Sequence, residues 1–297
     1  MNWEHHYAKA LQQDTRSIAR CISIIENEEP GYQQLLMQLP THANSAVIGI
    51  TGPPGAGKST LTDGLIGQFV AQGKKVAVLC VDPSSPFNLG ALLGDRIRMS
   101  QWYTNPNVYI RSLATRGSLG GLHPRIMEIT DFLKAMPFDL VIVETVGVGQ
   151  SEIEIAGLAD VTVVVLVPEA GDEIQTMKAG LMEIADIFVV NKSDRPLADQ
   201  FVKHLEILAH AAAHEIPVVK TIASENQGLP ELAGKIERKL EYLVSSERKY
   251  WLLAERAYHL IRNERMKNVS KEELRKNIMT EMNLGQFNMY SYIQSYI

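Results

Sequence analysis

The chain has 297 residues, 45% of them hydrophobic and 21% charged, enough apolar material for a substantial core and no composition of a disordered chain. Its 29 Lys+Arg against 34 Asp+Glu leave a formal charge of −5, which argues against a duplex-binding protein, since such affinity comes largely from neutralising phosphates. Two cysteines, Cys21 and Cys80, exclude a disulfide framework and a Cys-rich zinc site.

The opening residues, Met1-Asn2-Trp3-Glu4-His5-His6, lack the basic-then-apolar pattern of a signal peptide, so a cytoplasmic protein is expected. Residues 3–28 predict a helix, with Leu11, Ile18, Ile22 and Ile25 at helical spacing. Glu29-Pro30-Gly31 breaks it, a short helix follows over 32–39, and the polar run 41–45 reads as a linker. Residues 1–44 are therefore expected to be a helical extension.

Short β-rich apolar runs then alternate with helical segments: 47–51, 76–81, 108–113, 140–143, 161–167, 187–190 and 217–221. Continuous rather than alternating apolarity suits strands buried on both faces, and the helical segments between them suit crossovers. The expected fold is α/β, a mainly parallel sheet flanked by helices, over residues 45–245. The most apolar stretch, 161–168, is far short of the ~20 residues that span a bilayer, so no membrane association is expected. From Leu229 onward the strand signal disappears. Helices are predicted over 229–245, 248–266 and 271–282, the last with Ser270 as N-cap and Glu273 three residues on. Residues 246–297 form the expected C-terminal helical arm, ending in an aromatic tail with Phe287, Tyr290, Tyr292 and Tyr296.

Gly52-Pro53-Pro54-Gly55-Ala56-Gly57-Lys58-Ser59 matches the phosphate-loop pattern in full, after a predicted strand and before a predicted helix. Glycines let the loop curl so that its N–H groups face phosphates at the positive end of the helix. Lys58 is placed to reach the β- and γ-phosphates, and the Ser59 hydroxyl to bind Mg²⁺. Asn191-Lys192-Ser193-Asp194 follows another strand and is similar to the guanine-reading motif of GTPases. A carboxylate there accepts from the ring N–H and the exocyclic amine of guanine, whereas adenine offers no such donor pair. GTP and GDP are thus the expected ligands, with Ala223 in Thr221-Ile222-Ala223-Ser224 placed to offer a backbone N–H to the base.

Asp82 and Glu144 end predicted strands, and Asp95 lies in Leu92-Leu93-Gly94-Asp95-Arg96. Carboxylates beside the phosphates hold Mg²⁺ directly or through water. Gly147 in Glu144-Thr145-Val146-Gly147 suits a pivot that follows the γ-phosphate. Val148 follows it, where Ras-type GTPases carry the glutamine that orients the attacking water. Slow intrinsic hydrolysis is expected, with Arg98, Arg116 and Lys178 as candidate accelerating cations.

Taken together, these motifs resemble those of the P-loop GTPases that act as metal and cofactor chaperones, and most closely the methylmalonyl-CoA mutase accessory family (MeaB/ArgK/MMAA-like), often labelled as arginine/ornithine transport kinases. The resemblance rests on residues 52–60, 81–86 with 90–99, Ala114-Thr115-Arg116-Gly117 with Leu119-Gly120-Gly121, 144–152, Ala170-Gly171-Asp172-Glu173 and 191–194. It implies that residues 52–60, including Thr60, serve the nucleotide, that Ser59, Asp82, Asp95 and Glu144 form the metal shell, and that Asn191, Lys192 and Asp194 read guanine. It implies that Lys178 approaches the nucleotide from a loop over 169–178, joining Lys58 and Glu144 in catalysis. It also implies a homodimer, and as partner a cobalamin-dependent acyl-CoA mutase, which is the protein that carries adenosylcobalamin.

Two rival readings remain. A nickel-insertion GTPase needs metal-binding His or Cys; His210 and His214 are four apart but stand opposite Phe201, Leu205 and Leu208, as on a solvated helix face. A kinase or ATPase linked to amino-acid transport needs a base aimed at an acceptor, and none is identifiable.

Overall fold

The computed structural model describes residues 3–40, 45–82, 99–116, 122–147, 151–170, 180–210, 216–243, 248–285 and 287–296. The chain divides into two compact units, residues 1–249 and 250–297.

The first unit is built on seven strands: β1 (Ala46–Thr51), β2 (Val76–Asp82), β3 (Val108–Ala114), β4 (Leu140–Glu144), β5 (Val161–Leu166), β6 (Ile187–Asn191) and β7 (Val218–Thr221). They form one sheet in the order β3-β2-β4-β1-β5-β6-β7, and every neighbouring pair is parallel. All seven predicted strands are present, within one or two residues at their ends. The apolar runs are continuous because each central strand is buried on both faces.

Among the described residues, nine α-helices lie wholly within this unit. The first are α1 (Trp3–Ala10), α2 (Thr15–Glu26), α3 (Tyr32–Met37), α4 (Lys58–Ala71), α5 (Ile126–Lys134) and α6 (Ser151–Leu158). Then come α7 (Gly180–Ile184), α8 (Ala198–His210) and α9 (Leu229–Leu243). On one face of the sheet Val47, Leu79 and Val143 pack with Ile18, Ile22 and Ile25 of α2 and Phe132 of α5. On the other, Ile50, Val78 and Val163 pack with Leu61, Leu65 and Phe69 of α4 and Leu232 and Ile236 of α9. Phe201 and Leu205 of α8 cover Val164, Phe188 and Val190 towards β7. Each buried Val, Leu, Ile or Phe contributes about 1.5–3 kcal/mol relative to exposure. Cys21 and Cys80 are both buried and free.

One expected element divides. The helix predicted over residues 3–28 is two helices, because Asp14 caps α2 by accepting from the Ser17 N–H at 2.8 Å and Gln13 turns the chain with φ +65°. Leu11 falls in that turn and is exposed, so the apolar spacing runs across a break that only the cap reveals.

A charged network fastens the end of α2 to the strand edge and to α5. Arg111 of β3 reaches Glu26 at 2.8 Å, and Arg125 pairs with Glu128 at 2.8 Å. His123, 2% exposed, accepts from the Arg125 N–H on Nδ1 at 3.0 Å, while its Nε2 lies 4.0 Å from Glu26. Burial pushes this imidazole down from 6.5 to about 4, against the opposing pull of Glu26. The unfolded chain therefore takes up a proton at His123 between about pH 6.5 and 4 that the folded chain refuses, so stability falls as pH drops through that window. The loss is on the order of 3 kcal/mol at its limit. His123→Gln is expected to flatten this part of the acid dependence of the urea midpoint between pH 7 and 4.5; an unchanged slope would place the sensitivity in another group.

The second unit contains most of α10 (Arg248–Met266), then α11 (Lys271–Asn283) and α12 (Met289–Ile293). The predicted cap of α11 is present, Ser270 Oγ accepting from the Glu273 N–H. In the tail, Tyr292 is buried and its ring packs against Phe287 and Tyr296. Among the described residues no helix is long and apolar enough to cross a membrane.

Candidate functional site

Residues 52–57 join β1 to α4 at the carboxyl edge of the sheet, which places the helix N-terminus and its first-turn N–H groups at the loop. Two glycines here are required by contact. At Gly57, with φ +88°, an added Cβ meets Asn191 Nδ2 at 2.4 Å; at Gly147, with φ +84°, it meets both the Gly52 carbonyl and Lys58 Nζ at 2.4 Å. Lys58 is buried and its ammonium donates to the carbonyls of Gly52 and Pro53 at 2.9 and 3.1 Å. The loop thus holds its lysine inward. An anion in the cradle competes for the ammonium through charge-assisted bonds, which are stronger than those to neutral carbonyls.

A cavity of about 480 Å³ opens over this loop, lined by Pro54, Gly55, Gly57, Lys58, Ser59, Thr60, Glu144, Thr145, Val146 and Lys192. Its floor is a corner of oxygens. Glu144, 2% exposed, receives Ser59 Oγ on one carboxylate oxygen at 2.6 Å and Thr62 Oγ1 on the other at 2.8 Å. Thr145 Oγ1 and Thr51 Oγ1 are 3.0 Å apart behind it. Asp82 ends β2, buried, with its carbonyl accepting from the Thr115 N–H at 3.1 Å. Oxygen donors of this kind suit a hard cation such as Mg²⁺, which is characteristically shared between one or two carboxylates and substrate phosphates. Ser59, Glu144 and the neighbouring strand end at Asp82 would hold it.

The loop after β6 braces the same cradle. Asn191 Nδ2 donates to the Ala56 carbonyl at 2.8 Å, while its Oδ1 accepts from Thr221 Oγ1 and from the Ala223 N–H, both at 3.1 Å. Lys192, with φ +55°, donates to the Gly55 carbonyl at 2.7 Å. Asp194 is exposed. Its neighbour Arg195 is paired with Glu169 at 2.6 Å. Ala223 therefore directs its N–H at Asn191, not outward to a base as its spacing suggested.

The structure brings together Gly52, Pro53, Pro54, Gly55, Ala56, Gly57, Lys58, Ser59, Thr60, Glu144, Gly147, Asn191 and Lys192, with Asp194 and Ala223 on the flanking loops. Asp95, Arg98, Val148, Gln150, Lys178 and His214 lie outside the described residues. Arg116 is described and is bound elsewhere, to Glu26 at 2.9 Å and Asn27 at 2.8 Å. Sequence reasoning missed Thr62. Its position one helical turn after Lys58, on the face of α4 that also carries Ser59, was the available signal.

Several known proteins are similar to this chain. A protein of Pyrococcus abyssi named as a GTPase is 47% identical over 243 residues, 79% of this chain and 75% of that one. GTPase ArgK of Escherichia coli is 41% identical over 192 residues, 63% of this chain and 58% of its own. The methylmalonic aciduria type A homolog of mouse mitochondria is 38% identical over 193 residues, 62% of this chain and 46% of its own. The crystal structure of LAO/AO transport system kinase superposes with a TM-score of 0.65 at 22% identity, over 99% of this chain and 96% of that one, a likeness of fold. The model of the family described as methylmalonyl Co-A mutase-associated GTPase MeaB matches residues 18–282, and the chain belongs to that family.

Proposed function

We propose that the chain binds GTP with Mg²⁺, hydrolyses it slowly to GDP and phosphate, and serves as chaperone to a cobalamin-dependent acyl-CoA mutase. In this reading it gates delivery of adenosylcobalamin and protects the activity of the mutase, the client being methylmalonyl-CoA mutase by the family's description. The observation that carries the GTPase part is the Ser59–Glu144–Thr62 triad under the loop. It ties the strand end that leads to Gly147 directly to the helix that starts at the phosphates. Ser59 and Glu144 would hold a Mg²⁺ that neutralises phosphate charge, and Glu144 lies three residues before Gly147, which stands in contact range of Lys58.

The roles of individual residues follow. Backbone N–H groups over 52–60 and the Lys58 ammonium hold the phosphates; Ser59, Asp82, Asp95 and Glu144 form the metal shell, where Mg²⁺ would neutralise charge on the β- and γ-oxygens. Asn191 holds the base loop against the cradle, Asp194 reads guanine, and Lys192 flanks it. Ala223 serves through Asn191, and offers its own N–H to the base only by exchanging that bond. Lys178 approaches the nucleotide when the partner is engaged. Residues 1–44, 45–245 and 246–297 act as helical extension, GTPase domain and dimerisation arm. Exposed Leu253 and Ile261 on α10 and Met279 and Met282 on α11 support a second copy as the arm's occupant. A cytoplasmic site of action fits this client.

The test is the GTP hydrolysis rate of the protein alone and with a purified adenosylcobalamin-dependent acyl-CoA mutase. A slow rate that rises at least about tenfold with the mutase is expected, since arginine-finger-type assistance is worth far more than that. A rate indifferent to the mutase would remove the client while leaving the GTPase.

A further inference from the structure

The phosphate cavity has two described cationic linings, Lys58 and Lys192, and both are engaged with carbonyls of the loop. Neither is an arginine, the side chain best suited to charge spread over a planar set of phosphate oxygens. Arg116 lies at the same edge of the sheet. It follows Thr115, whose N–H is bonded to the Asp82 carbonyl, at the end of β3. In the order β3-β2-β4 its strand stands two spacings, about 10 Å, from that of Glu144.

The guanidinium is held by the C-terminal end of α2 instead. Nη1 donates to the Glu26 carbonyl at 3.2 Å, and Nη2 to Glu26 Oε1 at 2.9 Å and Asn27 Oδ1 at 2.8 Å. The backbone at Arg116 is left-handed, with φ +47°, a conformation that costs an arginine energy its neighbours have to supply.

Two observations separate this contact from a simple tether. Glu26 keeps a second arginine, Arg111, on its other oxygen at 2.8 Å, so α2 stays fastened to β3 without Arg116. The Arg116 side chain is also 35% exposed, where an ion pair contributes little more than thermal energy. That small gain and the bonds to Asn27 and the Glu26 carbonyl are opposed by the left-handed strain, so the held arrangement is favoured by only about tenfold. A margin of that size is one that a modest difference in partner affinity shifts.

We propose that Glu26 and Asn27 form an autoinhibitory latch that withholds Arg116 from the phosphate cavity, and that release of Arg116 supplies the cation which stabilises charge on the γ-phosphate during GTP hydrolysis. The inference rests on the GTPase reading and deepens it, since it gives the N-terminal helices control over the rate. Returning φ at Arg116 to the ordinary negative region re-aims the side chain while Thr115 stays paired to β2.

The test uses the full chain, single-turnover GTP hydrolysis without any partner, and binding of a fluorescent GDP analogue in parallel. Asn27→Ala and Glu26→Gln are each made with and without Arg116→Ala. Asn27→Ala leaves the Arg111–Glu26 pair intact, so docking of α2 survives even if Glu26→Gln loosens it. Each latch variant is expected to hydrolyse GTP about fivefold faster than the unmodified chain, as loss of one weak surface contact allows. Adding Arg116→Ala is expected to cancel the gain. A merely structural contact would lower the melting temperature and leave hydrolysis no faster; that result, or a gain that persists with Arg116→Ala, overturns the latch. Failure of the unmodified chain to bind the GDP analogue or to hydrolyse GTP would overturn the GTPase reading itself.

Discussion

Lys58→Ala is expected to lower GTP affinity by two orders of magnitude or more. The ammonium loses its bonds to two phosphate groups, and hydrogen bonds to charged groups contribute about 1.5–3 kcal/mol each. The sum of about 3–6 kcal/mol corresponds to a factor of roughly 10² to 10⁴. A second effect runs alongside. The ammonium also bridges the Gly52 and Pro53 carbonyls, so its removal loosens the loop. Those bonds run from a charged donor to neutral oxygens and lack the ion–ion attraction that a phosphate adds, which makes the phosphate loss the larger of the two. Titration calorimetry with GTP measures the first and thermal melting of the free protein the second. Undiminished affinity in calorimetry would place the phosphates away from residues 52–58.

Asp194→Asn is expected to exchange the base that is read. Guanine presents two donors to the carboxylate, and an amide can accept one of them but turns its own N–H against the other. The loss is about 3 kcal/mol or more, a factor of 100, because a donor is left facing a donor in a desolvated site. Xanthine carries a carbonyl oxygen in place of the exocyclic amine, so the amide recovers a bond there. Competition between GTP and xanthosine triphosphate should therefore reverse in the variant. Arg195, the adjacent cation, is engaged with Glu169. If GTP keeps its full advantage in the variant, another residue reads the base.

Both predictions rest on residues that neighbour each other in sequence, and that locality is why they were legible. The phosphate-loop motif is a run of eight consecutive residues, 52–59. The seven strands were legible because burial on both faces of a parallel sheet demands continuous apolar runs. The break between α1 and α2 was hidden because apolar spacing survives a one-turn interruption, and the decisive bond is a single carboxylate capping a single N–H. Ala223 was correctly placed beside the base loop, but the direction of its N–H depended on Asn191, thirty-two positions away.

Other contacts around the site join positions far apart in the chain. Thr62 and Glu144 are separated by 82 positions, and Arg116 and Glu26 by 90. By itself the sequence determined the class of fold and the phosphate-loop motif, because each is specified by local backbone conformation and by the period of burial. Tertiary structure alone decided the strand order that sets Glu144 over Ser59, the brace that Asn191 makes to the cradle, and the binding of Arg116 to α2. A side-chain hydrogen bond requires two groups within about 3 Å, and only the assembled sheet and its crossovers bring such distant positions that close.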